Sequence, residues 1–159
     1  MDAGRVGGVS QRGREMKISP RGISLIRRHE RLRLKAYRCP AGIWTIGIGH
    51  TGDDVAPDSE IDEDEADRLL DQDLAITYDA IGDLVDVDLN QNEFDALCSL
   101  IFNIGRQAFK SSTLLRLLNQ DQRYPAAQQF LRWVHAGREV LPGLVARREE
   151  ERSLFLEAV

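Results

Sequence analysis

E-R-L-R-L-K-A-Y-R-C-P-A-G-I-W-T-I-G-I-G-H-T, residues 30–51, reads as the end of a helix followed by a hairpin. Leu34 to Arg38 is short and β-like. Cys39-Pro40-Ala41-Gly42 has proline at the second turn position and glycine at the fourth, as a type I turn prefers. Ile43 to Ile48 then alternates, with Trp44, Ile46 and Ile48 on one face and Ile43, Thr45 and Gly47 on the other. Gly47 and Gly49 leave that second face open to the close approach of a ligand chain; two glycines in a bent strand is the plainer alternative. Upstream, Ser19-Pro20 is a helix start, a capping hydroxyl before proline at the first helical position. Ile23, Ile26 and Glu30 share a face of that helix. A carboxyl group on such a stripe has to be paired, protonated or solvated by a cleft.

Working outward, residues 51–60 form a loop rich in Gly, Asp, Pro and Ser. A long helix follows over about 62–81, with Ala66, Leu69, Leu70, Asp73, Ile76 and Ala80 as its stripe and Asp73 as the odd member. Asn90 with Glu93 predicts a capping box, Phe94 to Phe102 an apolar stripe, and Gly105 a stop. Further helices are expected at about 112–119, 125–135 and 142–156, the last opened by Pro142. The fold class is α+β. A small hairpin or sheet lobe, roughly residues 17–60, is joined by a long helix to an all-helical lobe, and two lobes imply a cleft. Residues 1–16 read as a disordered lead with Met16 as a plausible alternative start, and 17–159 as a single domain.

At 159 residues the chain suits one domain. Its net charge of −5 is unevenly spread. From Asp53 to Asp95 seventeen acidic residues face one base, Arg68, whereas residues 1–52 carry eleven bases and three acids. The acidic block argues against nucleic acid as the main partner and reads as a solvated helix face with acidic loops. No run approaches the roughly 20 apolar residues that span a bilayer, and the first fifteen residues lack the apolar core of a secretory signal. Stable membrane insertion is not expected. Cys39 and Cys98 make neither a disulfide framework nor a metal site. Cys98 sits among Phe94, Leu97 and Ile101 and belongs to the core.

Glu30 and Thr45 lie on adjacent elements, with Cys39 at the turn between. An acid facing a water-holding group across a gap is the layout of glycoside hydrolysis. The pattern E-x8-C-x5-T, closed by T-I-G-I-G-H-T, resembles the phage-type lysozymes, glycoside hydrolase family twenty-four. The similarity continues through D-Q-D-L at 71–74, F-D-A-L-C-S-L-I-F-N-I-G at 94–105, S-T-L-L-R at 112–116, R-W-V-H-A-G at 132–137 and G-L-V-A-R-R at 143–148. It covers about residues 17–157 in the family's order.

The resemblance implies a lysozyme-like fold and a muramidase. Such an enzyme hydrolyses the β-1,4 bond between N-acetylmuramic acid and N-acetylglucosamine in peptidoglycan, acting as an endolysin. Glu30 would be the general acid and Thr45 would help hold the attacking water, with inversion at the anomeric carbon. Cys39 stands where many members have Asp. A thiol supplies less anion at neutral pH than a carboxylate, so the open roles for Cys39 are base, water-orienting group or passive turn residue. A cysteine nucleophile would want a histidine base, and nothing ties His29, His50 or His135 to that role.

His50 and Asp73 are expected to form a structural ion pair between the lobes, raising the histidine pKa and lowering that of the aspartate. Gly49, His50, Thr51, Phe102, Asn103, Ser112 and Thr113 resemble the cleft wall that holds sugar rings. Helix packing for Phe102 and capping for Ser112 are equally open. Arg147 and Arg148 either set a cation near Glu30 or belong to a solvated charge lattice with Glu151 and Arg152. No cofactor or metal is implied. Peptidoglycan glycan strands are the expected partner and a monomer the expected state. The expected site of action is the wall, after holin-dependent release from the host cytoplasm. The competing reading is a lysozyme-like binding or scaffold domain that holds glycan without cutting it. Glu30 and Thr45 favour the enzyme.

Overall fold

In the computed structural model, which describes residues 15–159, the first helix is α1 (Pro20–Glu30). Ser19 caps it by accepting from the Gly22 N–H, and its own hydroxyl donates to Asp95. Such a cap contributes about 0.5–2 kcal/mol. The helix stops at Glu30 because Arg31 turns to φ +53° and leads into β1 (Leu32–Arg38). The Cys39–Gly42 turn is closed by the Gly42 N–H donating to the Cys39 carbonyl at 2.8 Å, with Gly42 at φ +78°. Strand β2 (Trp44–Ile48) returns antiparallel to β1, and β3 (His50–Thr51) adds a third strand to the expected hairpin. The register sets Tyr37 opposite Thr45 and Thr45 opposite Thr51, so these three form a row across the sheet.

Thr45, Ile46, Gly47 and Ile48 are all buried, so the second face of β2 is covered rather than open. A Cβ on Gly47 would lie 3.4 Å from Ile61 and 3.6 Å from Ala66. The close approach there is made by Ile61 and by the protein's own helix α2 (Glu63–Leu84), and with φ +66° Gly47 follows the plainer of the two readings, a glycine in a bent strand.

Helix α2 starts in the small lobe, where Leu69 packs with Ile46 and Val55, and ends against the main core. Between those ends one strip of it faces solvent. Ile76, expected in the buried stripe, is therefore 59% exposed, and Leu74 and Thr77 are buried in its place. The main core is built on α3 (Gln91–Ile104), which carries Phe94, Leu97, Cys98 and Leu100 fully buried. Its Asn90–Glu93 capping box and Gly105 stop are both present.

Around α3 lie α4 (Arg106–Lys110), not anticipated, α5 (Thr113–Asn119) and α6 (Arg123–Gln129). The helix expected at 125–135 ends early. A 3-10 turn (Phe130–Arg132) and a two-strand hairpin, β4 (His135–Ala136) and β5 (Glu139–Val140), occupy the segment instead. Gly137, at φ +61°, makes the turn, and the Leu141 N–H donates to Val134 O at 3.0 Å to close it. Helix α7 (Pro142–Leu156) packs back across α3. The expectation for residues 1–16 lies outside the described residues except at Glu15 and Met16.

Candidate active site

Glu30 ends α1 with its side chain 16% exposed. Its Oε1 accepts from Arg147 Nη1 at 2.5 Å, a contact between residues 117 apart in sequence. The guanidinium is held on its other sides by Glu151 Oε2 at 3.3 Å, Ser99 O at 3.2 Å and Ser99 Oγ at 3.4 Å. Ser99 Oγ also donates to Glu151 Oε2 at 2.5 Å. Arg147, Arg148 and Glu151 are buried, so the solvated charge lattice gives way to an internal network. Glu30 is backed on a second side by Gly49, whose hypothetical Cβ would fall 2.5 Å from Glu30 Oε2. The carboxyl group is thus located by a cation and by a bare stretch of backbone.

Cys39 and Thr45 are joined through one atom. The Cys39 N–H and the Thr45 hydroxyl both donate to the Ile43 carbonyl, at 2.9 and 3.0 Å. That bond uses the Thr45 hydrogen and leaves its oxygen able to accept one. Cys39 is half-buried and in no disulfide. Tyr37, across from Thr45, has its phenol pKa pushed up by burial and further by Glu30 and Cys39, while Arg33 acts against them. Tyr37 therefore lies within electrostatic range of both groups, a role the sequence reading did not give it.

His50 Nδ1 lies 2.8 Å from Asp73 and Nε2 lies 2.9 Å from Asp54, so the expected pair is present with an unforeseen third member. Both ring nitrogens donate at once only in the imidazolium form, and neither is left for a sugar. Burial pulls the His50 pKa down, but the bonds to Asp73 and Asp54 outweigh it and the net shift is upward. The Asp73 expectation is corrected. Burial raises its pKa, and the hydrogen bond to His50 only partly opposes this. The carboxylate that is lowered is Asp54, chiefly by its bond to His50.

Gly49, Thr51 and Phe102 meet in one hollow of about 240 Å³, also lined by Asp73, Ile76 and Arg106. Ser112 and Thr113 line a separate hollow of about 460 Å³ with Arg132 and Trp133. The Ser112 hydroxyl caps α5 by accepting from Leu115 N–H at 3.0 Å, and donates to Phe109 O at 2.7 Å. Asn103 accepts from Arg148. A larger hollow of about 560 Å³, between α1 and α7, contains none of these residues. Among the described residues no group of three or more His, Cys, Asp or Glu side chains could hold a metal ion.

A held carboxyl group backed by Gly49, which lines a hollow, with the Thr45 hydroxyl and the Cys39 backbone N–H tied to one carbonyl on the adjoining hairpin, suits the acid half of glycoside hydrolysis. The phage lysozyme family model matches residues 27–151. An endolysin of Salmonella phage P22 is 50% identical over 146 residues, covering 89% of this chain and 99% of its own. The solved muramidase domain of SpmX from Asticaccaulis excentricus is 40% identical with a TM-score of 0.83, over 91% of this chain and 100% of its own. A solved mutant of P22 lysozyme is 48% identical with a TM-score of 0.76, over 89% and 99%. The chain belongs to the phage lysozyme family. Its activity is that of an endolysin, a muramidase that hydrolyses the β-1,4 bond between N-acetylmuramic acid and N-acetylglucosamine in bacterial peptidoglycan.

Proposed function

We propose that Glu30 is the general acid of this reaction and that Cys39 and Thr45 hold and activate the attacking water. The observation that supports this reading most directly is the Glu30 carboxyl, gripped by Arg147 through Oε1 and backed by Gly49. With Oε1 committed to the guanidinium, Oε2 carries the proton to the leaving glycosidic oxygen. On the other side, Thr45 accepts one water hydrogen and fixes the direction of the water's lone pair. Cys39, as the thiolate, takes the proton that the water loses as its oxygen bonds to the anomeric carbon. Acid and base on opposite sides of the sugar, with a water between, give inversion. Gly49, Thr51, Phe102, Asn103, Ser112 and Thr113 form the wall along which the glycan lies. The His50–Asp73 pair holds the lobes in register and takes no part in bond breaking.

The test is Glu30→Gln on purified peptidoglycan with mass analysis of the fragments. The amide keeps the shape and removes the proton donor, whose contribution is roughly 100- to 10,000-fold. A loss of muropeptide release on that scale with an unchanged melting curve is expected, and retained cutting refutes the assignment. The protein acts as a monomer, which sedimentation velocity checks. It reaches the wall from the host cytoplasm after holin-dependent release, so co-expression with a holin should bring on lysis that expression alone does not. No helix among the described residues is long and apolar enough to cross a membrane.

A further inference from the structure

We infer that Glu151 and Arg148 are positioning residues which, through Arg147, set how readily Glu30 keeps the proton it delivers. The inference goes a step beyond the acid role of Glu30 and rests on it. Among the described side chains Arg147 is the one ion-paired to both Glu30 and Glu151, and the Arg148 charge also reaches Glu30 through space. Behind it, Glu151 Oε1 lies 3.3 Å from Arg148 Nε, and both residues are 0% exposed. The four groups form a row of carboxyl, guanidinium, carboxyl and guanidinium.

With Glu30 ionised the row is neutral. Once Glu30 takes up its proton the row carries one net positive charge, in a region where buried charge is costly unless compensated. The two arginines therefore oppose the proton on Glu30, and the Glu151 carboxylate favours it. Arg148 acts here mainly as a charge. Its Nε and Nη1 make no hydrogen bond, and only Nη2 is used, on Asn103. Burial pulls Arg148 down to about 10, with Arg147 adding to the effect while Glu151 and Glu30 oppose it. Burial likewise raises Glu151 against Arg148, Arg147 and Ser99. Groups that affect one another in this way titrate as a set. Facing this row are Ser99 and Asn103 from α3 and, from β1, Tyr37, which feels Glu30.

The experiment is the pH–rate profile of kcat on purified peptidoglycan, run well below each variant's melting temperature. The alkaline limb reports loss of the proton from the acid. Glu151→Gln keeps the shape and the hydrogen bonds but leaves Arg147 acting on Glu30 undiluted, so the limb moves to lower pH by roughly one unit. Arg148→Gln removes a cation, so the limb moves to higher pH. Ser99→Ala removes a contact but no charge, and the limb stays in place even where the plateau falls. A residue that only stabilises the fold would change melting and the plateau and leave the limb unmoved. Should Glu151→Gln fail to fold, Arg148→Gln alone must still move the limb upward. The proposal is overturned if the limb stays fixed in every folded charge variant, if both charge variants move it the same way, or if Ser99→Ala moves it equally. Glu30→Gln separates the two levels. Activity in that variant removes the acid assignment itself, whereas an inactive Glu30→Gln beside unmoved limbs removes only the role of Glu151 and Arg148.

Discussion

Replacing Gly49 by alanine should damage activity far more than stability. Two separate effects are read from the structure. The backbone at Gly49 has φ +67°, where a side chain costs about 1–2 kcal/mol. In a domain of this size that corresponds to a fall in melting temperature of roughly 2–8 °C. The added Cβ would also stand 2.5 Å from Glu30 Oε2, against an ordinary contact of about 3.5 Å. The carboxyl group, held on its other oxygen by Arg147, must then shift by about 1 Å, and a displacement of that order costs roughly 100-fold in rate. Gly137→Ala is the matched control. Its φ is +61°, so the backbone cost is similar, but nothing lies within 4 Å of its Cβ. Differential scanning fluorimetry and turnover of purified peptidoglycan, measured on both variants, separate the terms. Comparable melting losses with a rate loss confined to Gly49→Ala are expected. If Gly49→Ala turns over within twofold of the parent, either the carboxyl has room to yield or its position is not what the chemistry uses.

Further outcomes follow from the same geometry. Cys39→Ser should weaken cutting strongly, whereas Cys39→Asp preserves or raises it; parental rates in both Cys39→Ser and Cys39→Ala would reduce Cys39 to a turn residue. Proton NMR of the first-formed reducing end should show the α-anomer, and an initial β-anomer contradicts inversion. The raised pKa of His50 gives stability that is full below about 6.5 and fades as pH rises through the folded value. Asp73→Asn should therefore lower the melting temperature most at mildly acidic pH and least at alkaline pH; a pH-independent loss refutes the pairing. Asp73 itself, being raised, favours the folded state below its unfolded value near 3.9 and ceases to do so as pH rises through the folded one. Stability held by a carboxylate and lost as pH falls toward acid belongs instead to Asp54, whose pKa is lowered.

What the sequence made legible was local. Ser19 with Pro20, Cys39 with Gly42, and Asn90 with Glu93 are each decided within four residues, and each is present as read. Ile76 misled because periodicity tells which residues share a face but not what lies opposite it. The α2 stripe passes from one lobe to the other, and the strand face left bare by Gly47 is filled by Ala66. The β4–β5 hairpin was hidden inside an apparently helical segment, with Gly137 its one signal. Kind and spacing made Glu30 and Thr45 candidates, and the family resemblance supplied the roles expected of them. The Ile43 carbonyl that ties Cys39 to Thr45 is backbone, so no side-chain pattern reports it. Arg147 as a cation near Glu30 was one of two open readings, and spacing could not choose it over a solvated lattice because the two residues lie 117 apart.

That separation also gives the enzyme a timetable. A ribosome finishes α1, the hairpin and the long helix well before it reaches Arg147, so the emerging chain has the Glu30 carboxyl but not the guanidinium that holds it. Translation halted between Thr45 and Arg147 yields a polypeptide bearing Glu30, Cys39 and Thr45 without the Glu30–Arg147 contact. The contact that holds the Glu30 carboxyl can therefore form only once the final helix has been made.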